Sequence, residues 1–144
     1  MKRHESLAPL SREHHKALIL AQLLKKDAPD YKGLPTEPQD KLVYAIGLFN
    51  ESLKEHFKKE EILIGRVEHC HEDIKQLGKD IKSEHQQFTE CFMGLDKVEN
   101  LADSMDALGR GLEMHIRKEE RVLFPLIQKH CPEELLNEIA SLLH

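Results

Sequence analysis

The sequence predicts an all-α fold: an up-down-up-down four-helix bundle with a short additional C-terminal helix. Three observations lead there. Apolar residues recur at helical spacing over four long stretches. The 6 Pro and 7 Gly of the 144 residues gather mostly at a few points, which leaves those stretches unbroken. Runs of β-branched residues are missing, and with no Trp and 5% aromatic residues an all-β core is poorly supplied.

Helix one is predicted from about Ser11, a candidate N-cap, to Lys26. Leu10, His14, Ala17, Leu18, Ala21 and Leu24 share its inner face. The stretch 27–38, with Pro29, Gly33, Pro35 and Pro38, reads as a loop. Helix two follows from about Gln39 to Val67, with Val43, Ile46, Phe49, Leu53, His56, Glu60 and Leu63 or Ile64 inward. A turn over 68–73 leads to helix three, which carries Ile74, Leu77, Ile81, His85, Phe88, Phe92 and Leu95. The third connection lies somewhere in 93–103. Helix four carries Leu101, Met105, Leu108, Leu112, His115, Glu119, Val122 and Leu126. Pro132 then stands at the first turn of a short helix through Leu143. The length suits one domain over 1–144, with the bundle at about 10–129.

Composition removes several function classes. A formal net charge of −5, with cations and anions interspersed, argues against nucleic acid or an anionic membrane as partner. The longest apolar run, Ala17 to Ala21, is too short to span a bilayer, and residues 1–11 carry no apolar signal segment. Cys70, Cys91 and Cys131 form no CxxC pair, and an odd, spaced set fits a reducing compartment, with the cytoplasm expected. Oligomeric state is not legible.

The 10 His are many for this length, and four of them fall into a pattern. His56-Phe57-Lys58-Lys59-Glu60-Glu61 and His115-Ile116-Arg117-Lys118-Glu119-Glu120 share H-x-x-K-E-E. Each is preceded, one helix earlier, by a Glu-His step, Glu13-His14 and Glu84-His85. The chain reads as two related hairpins. In an antiparallel hairpin, residues equidistant from the turn lie level. The midpoint of His14 and His56 is Pro35, that of His56 and His85 falls at Cys70 and His71, and that of His85 and His115 is Asn100. All three lie in predicted connections, so the four His occupy one level. His and Glu at i, i+4 stand one above the other on a helix, so Glu60 and Glu119 join the same layer.

A single inward His is ordinarily a hydrogen-bonded core residue. Two inward Glu are different, because Glu is almost never fully buried unpaired. Burying four His and two Glu in one layer without a cation would cost many kcal/mol. The residues His14, His56, Glu60, His85, His115 and Glu119 therefore read as metal ligands. Imidazole with carboxylate suits iron, zinc, manganese or copper. Six ligands exceed one catalytic zinc and suit two ions about 3.5 Å apart, each Glu bridging the pair. Ferritin-like sites use Glu-x-x-His, and no inward copy of that motif exists here.

These four pieces resemble the hemerythrin-like, or HHE cation-binding, family. They are Ser11-Arg12-Glu13-His14, the two H-x-x-K-E-E segments with Leu123-Phe124-Pro125 after the second, and Glu84-His85. The resemblance spans about residues 10–128. It implies an up-down bundle holding two non-heme iron ions, oxo- or hydroxo-bridged, with zinc or manganese as other occupants, and O₂ or a small anionic or diatomic ligand as partner. It implies a protein that binds or senses such a ligand, iron or redox state, more than an enzyme. A metal-dependent oxidoreductase and an interaction bundle with a structural metal are the alternatives. The oxygen carriers of the family bring a second His one turn after the first on helix three, and the residue here is Thr89. Their second carboxylate lies five residues after its His. Here Glu119 lies four after His115, with Glu120 as the five-spaced alternative.

Other residues read as bland. His14 falls within the apolar face and His15 toward its edge, so His15 is expected in solvent, with an extra ligand or a donor to one as the alternative. Glu61 and Glu120 are expected as surface groups pairing with Lys or Arg, Glu13 and Glu84 as exposed, with orientation of a His as the alternative, and Cys91 at a core boundary. The turn His69-Cys70-His71 is expected to be no chelate. Phe49, Phe88, Phe92 and Phe124 are expected in the core.

Overall fold

The structure is a computed structural model and describes residues 2–144; Met1, the first residue of the stretch read as free of a signal segment, lies outside the described residues. The elements are α1 (Ala8–Leu23), α2 (Pro38–Leu48), α3 (Lys54–Val67), α4 (Glu72–Gly94), α5 (Leu101–Lys118), α6 (Phe124–His130) and α7 (Glu133–Leu143). A π-helical stretch, Phe49–Leu53, joins α2 to α3, and another, Glu119–Leu123, joins α5 to α6. The described residues thus form five helical rods and include no strand. No helix among them is long and apolar enough to cross a membrane.

The first rod begins earlier than the sequence suggests. Pro9 sits in the first turn of α1, where its fixed φ and missing N–H cost nothing, and Leu7 occupies the cap position. Ser11 is inside the helix and its hydroxyl donates to Glu120 instead of capping. His71 and Asn100 cap α4 and α5, their side chains accepting from the backbone N–H of Asp73 and Asp103.

Each π stretch inserts a residue into the α ladder and re-phases the inward stripe. Upstream of Phe49–Leu53 the buried residues are Leu42 and Ala45, and Val43, expected inward, is 72% exposed. Past Glu119 the stripe moves on by one: Leu123, Phe124 and Ile127 are buried, and Val122 is exposed. Cys91 is likewise exposed, displaced from the Phe88–Phe92–Leu95 stripe.

Two apolar cores result. One gathers Ala17, Leu20, Phe49, Leu53, Phe92, Leu108 and Leu112 with their neighbours. The other gathers Leu10, Leu63, Ile74, Ile81, Leu123 and Phe124, with Leu136 and Ile139 of α7 packed onto it. At Gly109 a Cβ would stand 2.6 Å from the carbonyl oxygen of Ala21, so only glycine permits the close approach of α5 to α1. Between the two cores lies a polar layer.

Candidate metal centre

The polar layer contains all six residues expected as ligands. His14, His56, Glu60, His85, His115 and Glu119 are each no more than 4% exposed. α1 contributes His14, α3 His56 and Glu60, α4 His85, and α5 His115, while Glu119 opens the second π stretch. His15 is exposed, as its place on the wheel suggests.

The donor atoms fall into two sets that share one residue. Glu60 stands with His14 and His56, and again with His85, His115 and Glu119; within each set the atoms lie within 4.8 Å of one another. Glu60 divides its two oxygens between them. Its Oε2 is 3.1 Å from His14 Nε2 and 3.0 Å from His56 Nε2, while its Oε1 is 3.0 Å from His85 Nε2. Glu119 Oε1 is 2.8 Å from His115 Nε2 and 3.6 Å from His14 Nε2. His56 Nε2, His115 Nε2 and both oxygens of Glu119 are buried and make no well-formed hydrogen bond, the two nitrogens meeting only the carboxylate four residues on. Buried polar atoms are ordinarily satisfied, so four orphans in one layer, all nitrogen or carboxylate oxygen, are what a cation's donor set looks like.

The outer ring nitrogens explain why the inner ones point inward. His14 Nδ1 donates to Glu120 at 2.7 Å, His56 Nδ1 to Glu13 at 2.8 Å, His85 Nδ1 to Glu61 at 2.9 Å, and His115 Nδ1 to Glu84 at 2.6 Å. A carboxylate only accepts, so each Nδ1 carries a proton, and each Nε2 is the ring atom that faces the centre and can ligate once it is unprotonated. Lys59 clamps Glu13 and Lys118 clamps Glu84; Arg3 and Ser11 hold Glu120. Aromatic rings close the flanks: Phe124 stacks on His14 at 5.7 Å and Phe57 on His85 at 4.1 Å between centroids.

Of these outer carboxylates, Glu13 and Glu84 take the role that stood as their alternative, orienting a His, and Glu61 and Glu120 are the ones that sequence reasoning missed. Glu120 does meet Arg3, as expected of a surface group, but its other oxygen holds His14. The signal was in the repeat. In each H-x-x-K-E-E the His points inward, the Lys clamps the Glu beside the preceding helix's His, the first Glu points inward, and the second Glu holds a His of the other hairpin. That last pairing crosses between hairpins, so no local spacing reveals it.

Electrostatically the layer is a set of cations and anions held together. Burial pulls His14 down, but the carboxylates of Glu119, Glu120 and Glu60 around it outweigh that and carry its pKa up to about 12. Burial likewise opposes protonation of His56 and His115. The charge of Glu60 raises the first to about 9, and the adjacent Glu119 carboxylate raises the second to about 9. His56 in turn holds Glu13 at about 2. At Glu84 burial is outweighed by His115 and Lys118, and its carboxyl also falls to about 2.

Thr89, where a further His was considered, is half-buried and its hydroxyl donates to the carbonyl of His85 at 2.8 Å. It lines a surface groove of about 660 Å³ with Phe57, Glu61, His85 and Gln86.

If the outer carboxylates orient the ligands, Glu84→Gln weakens metal binding about 10–100-fold while leaving helix content unchanged. Equilibrium metal titration against wild type measures this, and an unchanged affinity would make Glu84 a mere surface partner.

The family model described as the hemerythrin HHE cation-binding domain matches residues 5–127. No curated protein and no solved structure matches the chain.

Proposed function

From the premise that this chain belongs to the hemerythrin HHE cation-binding domain family, we propose that it is a non-heme di-iron protein that binds or senses O₂ or a related small ligand. In this reading the first four rods are an up-down-up-down bundle within one domain, and α7 is the additional helix. The observation that carries the proposal is the division of Glu60's oxygens between two His-bearing halves. One carboxylate serving two donor sets supports two ions, and six protein residues on two ions leave coordination positions for a small ligand. The iron pair, when bound, supplies redox chemistry and affinity for O₂, peroxide, NO or azide. The protein's own residues hold the ligand nitrogens in one tautomer and keep the layer dry between apolar cores. The groove beside His85 and Thr89 supports a side approach for a small ligand. Iron is favoured over zinc and manganese by the family, and the odd cysteine set supports a cytoplasmic location.

The test is optical. Iron-loaded protein is expected to absorb in the near ultraviolet and to change that spectrum with azide or peroxide. His56→Ala and His115→Ala should abolish the change; His69→Ala and His130→Ala should keep it. A colourless protein with iron bound, or loss in all four variants alike, would overturn the reading.

A further inference from the structure

Outside the polar layer, two Cys-His steps face one another at the end of the molecule that carries α7. Cys70 and His71 lie where a 3₁₀ turn, Glu68–Cys70, leads into α4; His130 and Cys131 close α6. The rings of His71 and His130 stack at 4.0 Å with an interplanar angle of 26°. Beside them, Cys131 is 8% exposed in the second apolar core, and Cys70, partly buried, packs against that same core. The two thiols belong to one apolar cluster, near enough for Cys70 to act on the Cys131 thiol. All three cysteines are free.

The two thiols are not equivalent. Cys70 Sγ lies 3.9 Å from the ring Nε2 of His69, an exposed base able to take its proton. Cys131 sits in apolar surroundings; burial, and then the neighbouring Cys70, push its thiol up to about 12. A partly exposed thiol next to a base, with a second, buried thiol in the same cluster, suits an attacking and a resolving cysteine. A metal chelate fits less well. His71 Nδ1 accepts the backbone N–H of Asp73, the two imidazoles lie face to face, and among the described residues three or more ligating atoms gather only in the buried polar layer.

We propose that Cys70 and Cys131 form a dithiol site that hydrogen peroxide oxidises to a disulfide, Cys70 attacking and Cys131 resolving. His69 takes the Cys70 proton, and the thiolate attacks one peroxide oxygen. An S–O bond forms, the O–O bond breaks, and the departing hydroxide takes the proton from His69 and leaves as water. Cys131 Sγ then attacks the sulfenic sulfur. The S–S bond forms, the S–O bond breaks, and the second oxygen leaves as water with the Cys131 proton. Two thiols lose two electrons and one peroxide becomes two waters. The product links the turn before α4 to the end of α6, closing a loop that contains His85, His115 and Glu119.

The experiment uses the full chain, reduced and stripped of metal so that iron cannot mediate the oxidation. One equivalent of hydrogen peroxide is added, remaining thiols are alkylated, and peptides are mapped by mass. The expected result is a cross-linked peptide pair joining Cys70 to Cys131, Cys91 still alkylated, and Tm raised by about 10 °C until a dithiol reductant is added. His69→Ala should slow the reaction about tenfold or more, and Cys131→Ser should stop it at a Cys70 sulfenic acid that dimedone traps. The cross-link is read on the wild-type chain, so the result stands even where a variant folds poorly. Oxidation of either thiol to sulfinic acid without a cross-link, or reaction at Cys91 alone, would each overturn the proposal.

Discussion

Replacing Glu60 with Ala is expected to abolish metal binding at both donor sets, a larger loss than any single His substitution causes. Each His faces one donor set, whereas Glu60 is the residue that both sets share, with one oxygen on each side. The same change should also destabilise the metal-free protein. Glu60 is fully buried and its carboxyl is held well below the usual range: burial opposes ionisation, but the charge of His56 and the close approach of Glu119 and His14 outweigh it. Deleting it strands protonated imidazoles in the interior. Breaking a buried charge set in this way costs about 3–5 kcal/mol. Metal content and urea unfolding of Glu60→Ala beside His56→Ala check both halves. Equal metal content in the two variants would remove Glu60 from its shared position.

The second large effect is on pH dependence, which should run in opposite directions with and without metal. In metal-free protein His14, His56 and His115 have pKa values raised from the usual 6.5 to about 12, 9 and 9. A group raised on folding contributes stability that is complete below its unfolded value and lost as pH rises through its folded value. The metal-free chain should therefore weaken from about pH 6.5 upward, most of the loss coming by about pH 9. Glu13 and Glu84, lowered to about 2, contribute above about 4.5 and lose that contribution only as pH falls towards 2. Metal ligation requires the inner nitrogens unprotonated, so metal must displace these protons, and each displaced proton steepens affinity by about tenfold per pH unit. Calorimetric melting of both forms at pH 5.5 and 8.5 should show Tm values close together at the lower pH and far apart at the higher. A gap of the same size at both would mean that the buried imidazoles carry no protons for metal to displace.

Much of this site was legible because its geometry is repetitive. The i, i+4 spacing within each H-x-x-K-E-E, together with level matching across three turns, placed His14, His56, Glu60, His85, His115 and Glu119 in one layer, and the structure brings these six together. What escaped the sequence has two physical causes. The π-helical stretches at Phe49–Leu53 and Glu119–Leu123 break the 3.6-residue period, and simple extrapolation of that period turned Val43 and Val122 inward where Leu42 and Leu123 belong. The outer carboxylates depend on pairings across elements: Glu120 of the last repeat reaches His14 of the first rod, and Glu61 of the first repeat reaches His85. Half-exposed Glu beside Lys is the commonest surface pattern, so nothing local separates Glu61 and Glu120 from it. Ser11 misled for a related reason. A serine before an amphipathic run reads as a cap, but Pro9 starts the helix earlier and leaves the hydroxyl free for Glu120.

The central claim is that one shared carboxylate and five further ligands hold two ions inside the bundle. The most direct test is the count. Metal-free protein titrated anaerobically with ferrous iron, with bound metal measured after removal of excess, is expected to take up two ions per chain, to lose both in Glu60→Ala and to keep both in His69→Ala. One ion per chain, or two ions retained without Glu60, would contradict the account.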